Sequence, residues 1–190
     1  MSTRTHRKLR LSFSPATRWR SLFGREKRLK RTPLETREKV LRRDDYSCVY
    51  CGFKSRTGLH IHHVDRDPTN NRLSNLETVC AMCHLILHAG FASQVVGILD
   101  FYAKSKYSQS EIIRLTRKLR ARGMGDAKIR SVIGLHDRRE FAPDSQYLMQ
   151  LNGFVTSRLA AKAQIQRALT KMYEQERSGQ YRSRTQVRSG

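Results

Sequence analysis

The sequence predicts an α+β fold, in which a small strand–loop–helix core is held together by four cysteines and is followed by a mainly helical C-terminal region. Three observations support this prediction. The cysteines form two Cys-x-x-Cys pairs that are separated by 28 residues. A β-prone stretch with alternating apolar side chains lies between the pairs, and apolar side chains recur at helical spacing after them.

The cysteine spacing is that of two zinc knuckles that share one tetrahedral ion, bound by Cys48, Cys51, Cys80 and Cys83. These are all the cysteines of the chain, so none is left for a disulfide framework, and a structural zinc in a reducing cytoplasm is expected. A zinc staple also suits a chain of 190 residues with 38% hydrophobic residues, because the metal supplements a small core.

The charge balance is strongly basic, with 38 Lys and Arg against 16 Asp and Glu and a formal net charge of +22. This excess favours nucleic acid as the partner over an anionic membrane surface, and over simple solvation of the surface. The N-terminus lacks the apolar core of a signal peptide, and no apolar run reaches the ~20 residues of a transmembrane helix. We therefore expect a soluble cytoplasmic protein that is at most peripheral to a membrane.

Composition divides the chain into a basic arm (1–33), a zinc domain (34–92), a helical region (93–176) and a disordered basic tail (177–190). In the arm, cations flank the single tryptophan, a pattern that can stack bases while contacting phosphates. The alternative is a solvated arm whose aromatic side chains dock on the domain. The candidate nucleic-acid contacts are Arg18, Trp19, Arg20, Arg28, Lys30 and Arg31.

Within the zinc domain, apolar spacing after Pro33 predicts a short helix that leads into the first knuckle. Residues 46–64 are expected to form a hairpin that contains the knuckle turn and a strand over 59–64. A loop follows at 65–71, and Ser74-Asn-Leu-Glu77 has the pattern of a capped helical turn.

A His-His dipeptide and two histidines four residues apart in this domain are not needed by a four-thiolate zinc site. His62 and His63 are neighbours on the predicted strand, so their side chains leave opposite faces. A helix expected over 83–90 places His84 and His88 one turn apart on the same face, which suits metal chelation.

Further helices are expected in the C-terminal region: an apolar helix over 94–104, a helix opened by the capping box Ser108-x-x-Glu111, and a helix capped by Asp126. The last two favour a packed helical pair over a helix-turn-helix motif, because Pro143 makes the following segment a poor recognition helix. A final amphipathic helix is expected from Thr156 onward.

The histidines point to phosphodiester hydrolysis, which needs a base that deprotonates water near neutral pH and a cation at the scissile phosphate. His63 can be the base, while His62 turns towards a divalent ion on the other face of the strand. His84, with or without His88, completes this second metal site. The amide of Asn75 can hold either the loop or the imidazole in place.

Three segments carry this pattern: H62-H63-V64-D65, N71-x3-N75-L76 and C80-x-x-C83-H84-x3-H88. They resemble the HNH (ββα-metal) endonuclease superfamily in its zinc-stapled, four-cysteine branch. The resemblance implies that His63 is the general base, that Asn75 is the orienting residue, and that His62 and His84 bind a catalytic Mg²⁺, Mn²⁺, Ni²⁺ or Zn²⁺. His88 matches a position that binds metal in only some branches. Superfamily members cut DNA, and less often RNA, generally leaving 5′-phosphate and 3′-hydroxyl ends.

A second resemblance covers most of 9–175 and is strong over 40–91. It rests on L9-R-L-S-F-S-P15, R43-D44-x-Y46-x-C48, C51-G-F53 and T69-N-N-R-L-S-N-L76. These segments are similar to the IcmJ/DotN family, whose members belong to the coupling complex of type IVB secretion and conjugation systems. The resemblance implies an HNH-like zinc domain that serves as a scaffold and has lost the catalytic histidines, whereas this chain keeps them.

These observations predict a metal-dependent HNH endonuclease or nickase that acts on DNA and is connected with a mobile element or conjugative system. The alternative is a non-catalytic adaptor of a type IVB coupling complex, peripheral at the inner membrane, that contacts other coupling-complex proteins. A third possibility is a zinc-dependent nucleic-acid binder without catalysis.

Overall fold

The computed structural model describes residues 6–13 and 32–158. The amphipathic helix expected after Thr156 and the tail 177–190 lie outside these residues. The same holds for the candidate nucleic-acid contacts of the arm, Arg18, Trp19, Arg20, Arg28, Lys30 and Arg31. Within the described part of the chain, no helix has the length and apolar character needed to cross a membrane.

The zinc domain consists of two helices around a two-stranded antiparallel sheet. Helix α1 (Leu34–Arg43) leads into the first knuckle, strand β1 (Leu59–His63) pairs with strand β2 (Leu76–Cys80), and helix α2 (Ala81–Leu87) follows β2 directly. This arrangement confirms the predicted α+β core. The hairpin expected over 46–64 is wrong in its pairing, because β1 takes β2 as its partner.

Strand β2 also replaces the capped helical turn that the sequence predicted at 74–77. The chain makes a single 3-10 turn at Leu73–Asn75 and then extends. Glu77 is 1% exposed, and its carboxylate accepts a hydrogen bond from the Tyr50 hydroxyl at 2.7 Å and forms an ion pair with Arg7. These tertiary contacts keep Glu77 on a buried strand and override the local capping pattern.

The sequence predicted a helix over 83–90, but α2 begins at Ala81 and the helical backbone continues past Gly90. The Cys80 sulfur accepts a hydrogen bond from the Cys83 amide at 3.5 Å, so the knuckle itself caps the helix and Ala81 is its first residue. Gly90 has right-handed helical dihedral angles, and a π-helical turn follows it at Phe91–Val95. It therefore does not end the helix as predicted.

A three-stranded antiparallel sheet and three helices follow. Strand β3 (Leu99–Lys104) is central, with β4 (His136–Arg139) on one side and β5 (Asn152–Val155) on the other. The helices are α3 (Gln109–Arg120), α4 (Asp126–Ile133) and α5 (Ser145–Met149).

Strand β3 contradicts the helix expected over 94–104. Leu99 and Phe101 pack into the apolar cluster that contains the zinc cysteines, whereas Tyr102 packs with Phe154 in a second cluster. Because both faces of this central strand are covered, its residues are buried without interruption from Leu99 to Tyr102, including the charged Asp100. Periodicity alone does not distinguish such a run from a buried helix.

The two helices after β3, α3 and α4, lie close to the positions that the sequence predicted. The Glu111 carboxylate accepts a hydrogen bond from the Ser108 amide at 2.9 Å, and the Ser108 side chain accepts from the Glu111 amide, as a capping box requires. The Ser108 hydroxyl also donates to the Glu111 carboxylate at 2.6 Å. Asp126 is the first residue of α4 rather than its cap, because Gly125 holds that position; its carboxylate pairs with Arg120 at 2.7 Å. The two helices share the second apolar cluster, and strand β4, not a recognition helix, follows them.

Residues 6–13, from the basic arm, form an extended segment that packs on the core; it is called the N-terminal segment below. Leu11 is 1% exposed and belongs to the same apolar cluster as the zinc cysteines. Ser12 provides hydrogen-bond partners for backbone groups at the end of α2. Its hydroxyl donates to the carbonyl of Leu87 at 2.6 Å, and its carbonyl accepts from the amide of Ala89 at 3.0 Å.

The N-terminal segment, α2 and β3 meet at Gly153 on β5. A Cβ atom at this position would lie 2.7 Å from Ile86 Cδ1, 2.9 Å from Leu11 Cδ2 and 3.1 Å from Leu99 Cδ1. Glycine is therefore required where these three elements approach the strand.

Candidate metal centres and catalytic histidines

Four buried thiols converge where the first knuckle meets the start of α2. The sulfur atoms of Cys48, Cys51, Cys80 and Cys83 lie within 4.8 Å of one another, and those of Cys51 and Cys80 are 3.7 Å apart. A tetrahedral zinc with bonds of ~2.3 Å needs sulfur–sulfur distances of about 3.8 Å, so the thiols fit this ion. Hydrogen bonds from the other three thiols lower the pKa of Cys80, which favours the thiolate that binds zinc.

A second cluster, the histidine cluster, consists of His62 from β1 and His84 and His88 from α2. One ring nitrogen of each lies within 4.8 Å of the others. The ring centroids of His84 and His88 are 4.7 Å apart, and that of His62 lies 5.5 and 5.3 Å from them. Three imidazoles can hold one divalent ion and leave a coordination position for water or substrate. Exposed His60, which the sequence did not single out, lies beside them with its ring 5.2 Å from His84.

Burial keeps these three imidazoles neutral. Desolvation lowers the pKa of His62 and of His84 to about 3 and that of His88 to about 4, and the neighbouring imidazoles add to the effect. A neutral imidazole has a free lone pair, so at pH 7 protons do not compete with a metal ion for these three nitrogens.

His63 follows His62 on β1, so its side chain leaves the other face of the strand. Its Nε2 lies 3.1 Å from Oδ1 of Asn71. Because the amide oxygen can only accept, Nε2 carries the proton in this hydrogen bond and Nδ1 keeps its lone pair. The loop thereby selects a tautomer that suits a general base.

Asn75 holds the loop rather than the imidazole, which decides between its two expected roles. Its Oδ1 accepts from the amide of Asp65 at 3.0 Å, and its Nδ2 donates to Asp65 Oδ1 and to the carbonyl of Asn70, both at 2.9 Å. Sequence reasoning missed Asn71 as the partner of His63. The motif N71-x3-N75 contained it, but spacing within a loop does not show which asparagine reaches the ring.

A basic groove lies between the N-terminal segment, the start of α3 and α5, and its volume is about 840 Å³. The cations Arg7, Lys8, Arg10 and Arg114 line it together with serine and amide side chains. None of the described residues that line it is acidic. A groove with this charge is suited to a polyanion.

Comparison with known proteins finds a family match within the zinc domain. Residues 48–90 match the HNH endonuclease family, so the matched region contains both knuckles and the histidine cluster. This confirms the HNH-like character of the zinc domain that the sequence indicated.

A curated relative matches a short stretch of the chain. A stretch of 46 residues is 50% identical to the Type 4 apparatus protein DotN of Legionella pneumophila. The stretch covers 24% of this chain and 22% of the relative, so this chain spans about a fifth of the relative's length. This match confirms the second resemblance over that stretch.

Proposed function

We propose that the zinc domain is a metal-dependent nuclease centre of the HNH kind, which hydrolyses DNA phosphodiester bonds in the cytoplasm. The observation that carries the proposal is the convergence of three neutral imidazoles on one side of β1, next to a fourth, His63, whose tautomer Asn71 selects. A purely structural zinc domain needs four thiolates and no histidines. The match of 48–90 to the HNH endonuclease family supports the same conclusion.

Each group has a definite role in the proposed reaction. A divalent ion on the histidine cluster would offset negative charge on the scissile phosphate and on the leaving oxygen. His63 accepts a proton from the attacking water at Nδ1, the nitrogen that Asn71 leaves free. Asn75 keeps the loop that carries Asn71 in place, and the cations of the basic groove hold phosphates without reading sequence.

The test is plasmid cleavage by the zinc-loaded protein with added Mg²⁺, Mn²⁺, Ni²⁺ or Zn²⁺, beside the His63→Ala variant. We expect nicking or linearisation by the parent protein and a loss of ~10²- to 10⁴-fold in the variant, the usual contribution of a general base. His136→Ala, at an exposed position of β4, is the matched control and should cut at the parental rate.

The structural zinc content and the circular dichroism of His63→Ala should equal those of the parent protein. Equal cutting by both proteins would identify a contaminating nuclease and refute the role of His63. The absence of cutting with every metal would refute the nuclease proposal itself.

A second candidate function is supported by the 50% identity to the Type 4 apparatus protein DotN. In this proposal the chain is a non-catalytic adaptor of a type IVB secretion or conjugation coupling complex, the zinc domain is a scaffold, and the helices after residue 94 contact the partner proteins.

Complementation separates the two candidates. A host strain that lacks the gene is complemented with the parent gene or with His63→Ala, and DNA or protein transfer is measured. An adaptor would support transfer equally in both forms, whereas a nuclease that acts in transfer would lose it in the variant.

A further inference from the structure

Helix α3 reaches the cysteine cluster from outside the region that matches the HNH family. Nη2 of Arg117 lies 3.2 Å from the Cys80 sulfur, and Nη1 lies 3.7 Å from the Cys51 sulfur. One guanidinium group therefore bridges a cysteine of each knuckle.

The position of this side chain is fixed on its other side as well. The guanidinium carbon of Arg117 lies 3.9 Å from the centre of the Phe53 ring, within cation–π distance. Phe53 belongs to the first knuckle turn, so the arginine is held between the ring and the two sulfurs.

Charge explains why a cation is placed there. Four thiolates and one Zn²⁺ carry a net charge of −2, and the four cysteines are buried. Burying such a charge is unfavourable without hydrogen bonds or an opposite charge. Arg117 supplies both, because its planar group offers two N–H donors and a permanent positive charge.

We propose that Arg117 is a positioning residue of the zinc centre, which stabilises the thiolates of Cys51 and Cys80 and slows the release of the metal. Its location on α3 ties the metal centre to the region after residue 93. This role is independent of whether the protein cuts DNA.

The test measures zinc release from the full-length, zinc-loaded protein. Iodoacetamide is added, and the freed zinc is followed with a coloured chelator. Alkylation forms an S–C bond, expels iodide and breaks the Zn–S bond, so the release rate reports how exposed and nucleophilic the thiolates are.

We expect Arg117→Gln to release zinc ~10- to 100-fold faster than the parent protein, the usual range for the loss of an outer hydrogen-bond partner of a metal ligand. Arg117→Lys keeps the charge but loses the two-donor fork, so its rate should be intermediate. Lys118→Gln, on the same helix at an exposed position outside the basic groove, is the control and should release zinc at the parental rate.

A packing role is separated from a role in the metal centre by two measurements. Phe53→Leu removes the ring under Arg117 and leaves the N–H donors, so it should change the rate less than Arg117→Gln. In the cobalt-substituted protein, the sulfur-to-metal charge-transfer band should shift in Arg117→Lys, because the hydrogen bonds to sulfur change.

A parental release rate in Arg117→Gln would overturn the proposal. If Arg117→Gln does not fold, Arg117→Lys decides: a parental rate together with an unshifted cobalt band would overturn it.

Discussion

At the scale of single residues, the tautomer of His63 depends on one hydrogen bond, from its Nε2 to the amide oxygen of Asn71. We expect Asn71→Ala to lower the cleavage rate on the order of tenfold, less than His63→Ala, because the base remains but is no longer oriented. Asn71→Asp keeps an acceptor for the Nε2 proton of His63, so it should retain more of the parental cleavage rate than Asn71→Ala. Plasmid-cleavage rates of the three proteins measure this difference.

Asn75→Ala is the comparison for this experiment. It loosens the loop through Asp65 and Asn70, so it should lower the melting temperature. Equal cleavage rates for Asn71→Ala and the parent protein would show that Asn71 does not act through His63.

A second residue-scale prediction concerns Asp44, which is 3% exposed and joins the end of α1 to β2. Its carboxylate accepts from Arg43 and from the amide of Thr78, all at 2.9 Å. Burial alone would raise the pKa of Asp44, but the hydrogen bonds from Arg43 and Thr78 outweigh it and lower that pKa. The ionised form is therefore the one that stabilises the fold.

Asp44→Asn should lower the free energy of unfolding at pH 7 by about 1–3 kcal/mol, since a charged acceptor is lost in a buried site. The Asp44 carboxylate contributes its full amount to the free energy of unfolding at pH values above the ordinary pKa of ~3.9. This contribution disappears as the pH falls through the lowered pKa of Asp44. Urea unfolding with excess zinc should show a constant difference between the two proteins from pH 8 to about 4, and a smaller one below. Asp137→Asn, at an exposed position, is the control; a difference that grows in acid would contradict the prediction.

Residue spacing was sufficient to predict the parts of the site that depend only on regular strand or helix geometry. Strand alternation separates His62 from His63, and one helical turn brings His84 next to His88. The irregular loop has no such period. For that reason the sequence left both the loop and the imidazole open as contacts of Asn75, and it did not identify Asn71 as the partner of His63.

At the scale of elements, the N-terminal segment and the start of α3 supply the cations of the basic groove. Replacing Lys8, Arg10 and Arg114 together by Gln should weaken nonspecific DNA binding. If each contacts one phosphate, the slope of log K against log[salt] should fall by roughly 3, because fewer counterions are released. Fluorescence anisotropy over a salt series measures this slope.

The matched control is the triple replacement of Lys39, Arg42 and Lys54 by Gln. These cations pair with carboxylates, at 2.5 Å with Glu35, 2.8 Å with Glu38 and 2.7 Å with Asp45, so they are less available to phosphates. An equal loss of slope in the two triple variants would show that net charge, and not the groove, determines binding.

Elements that a short sequence pattern marks were predicted correctly. Elements that form only because distant segments pack against them were not. The capping box at the start of α3 is a local signal, and the helix begins there. Strand β2 depends on β1 and on the partners of Glu77, and β3 depends on cover from both sides. Those contacts join distant segments and are invisible in a short window of sequence.

At the scale of the whole molecule, one apolar cluster includes the four cysteines together with side chains of the N-terminal segment, β3, α3 and β5. We therefore expect the removal of zinc by a strong chelator to destabilise the region after residue 93 as well as the knuckles. Hydrogen exchange followed by mass spectrometry should show faster exchange in β3 and α3 after chelation. Unchanged protection of β3 and α3 would show that the two regions fold independently.

The overall class, α+β with a zinc-stapled core, was predictable because metal-ligand spacing and amphipathic patterns are both local. The three-stranded sheet was not, because its strands are joined by long connections and the outer strand β4 is exposed at all four residues. Such a strand has no apolar face from which it can be recognised.

The junction at Gly153 has a consequence for the order in which the chain folds during synthesis. Leu11 leaves the ribosome before β5, the strand that approaches it at Gly153, and β5 is made only after the complete zinc domain, roughly ten seconds later at ~5–20 residues per second. The knuckles can capture their metal in that interval, and the N-terminal segment can already pack on α2, but the cover that β5 provides for Leu11 is still missing. A nascent chain that is starved of zinc would therefore present both an unformed centre and an apolar segment to chaperones and proteases.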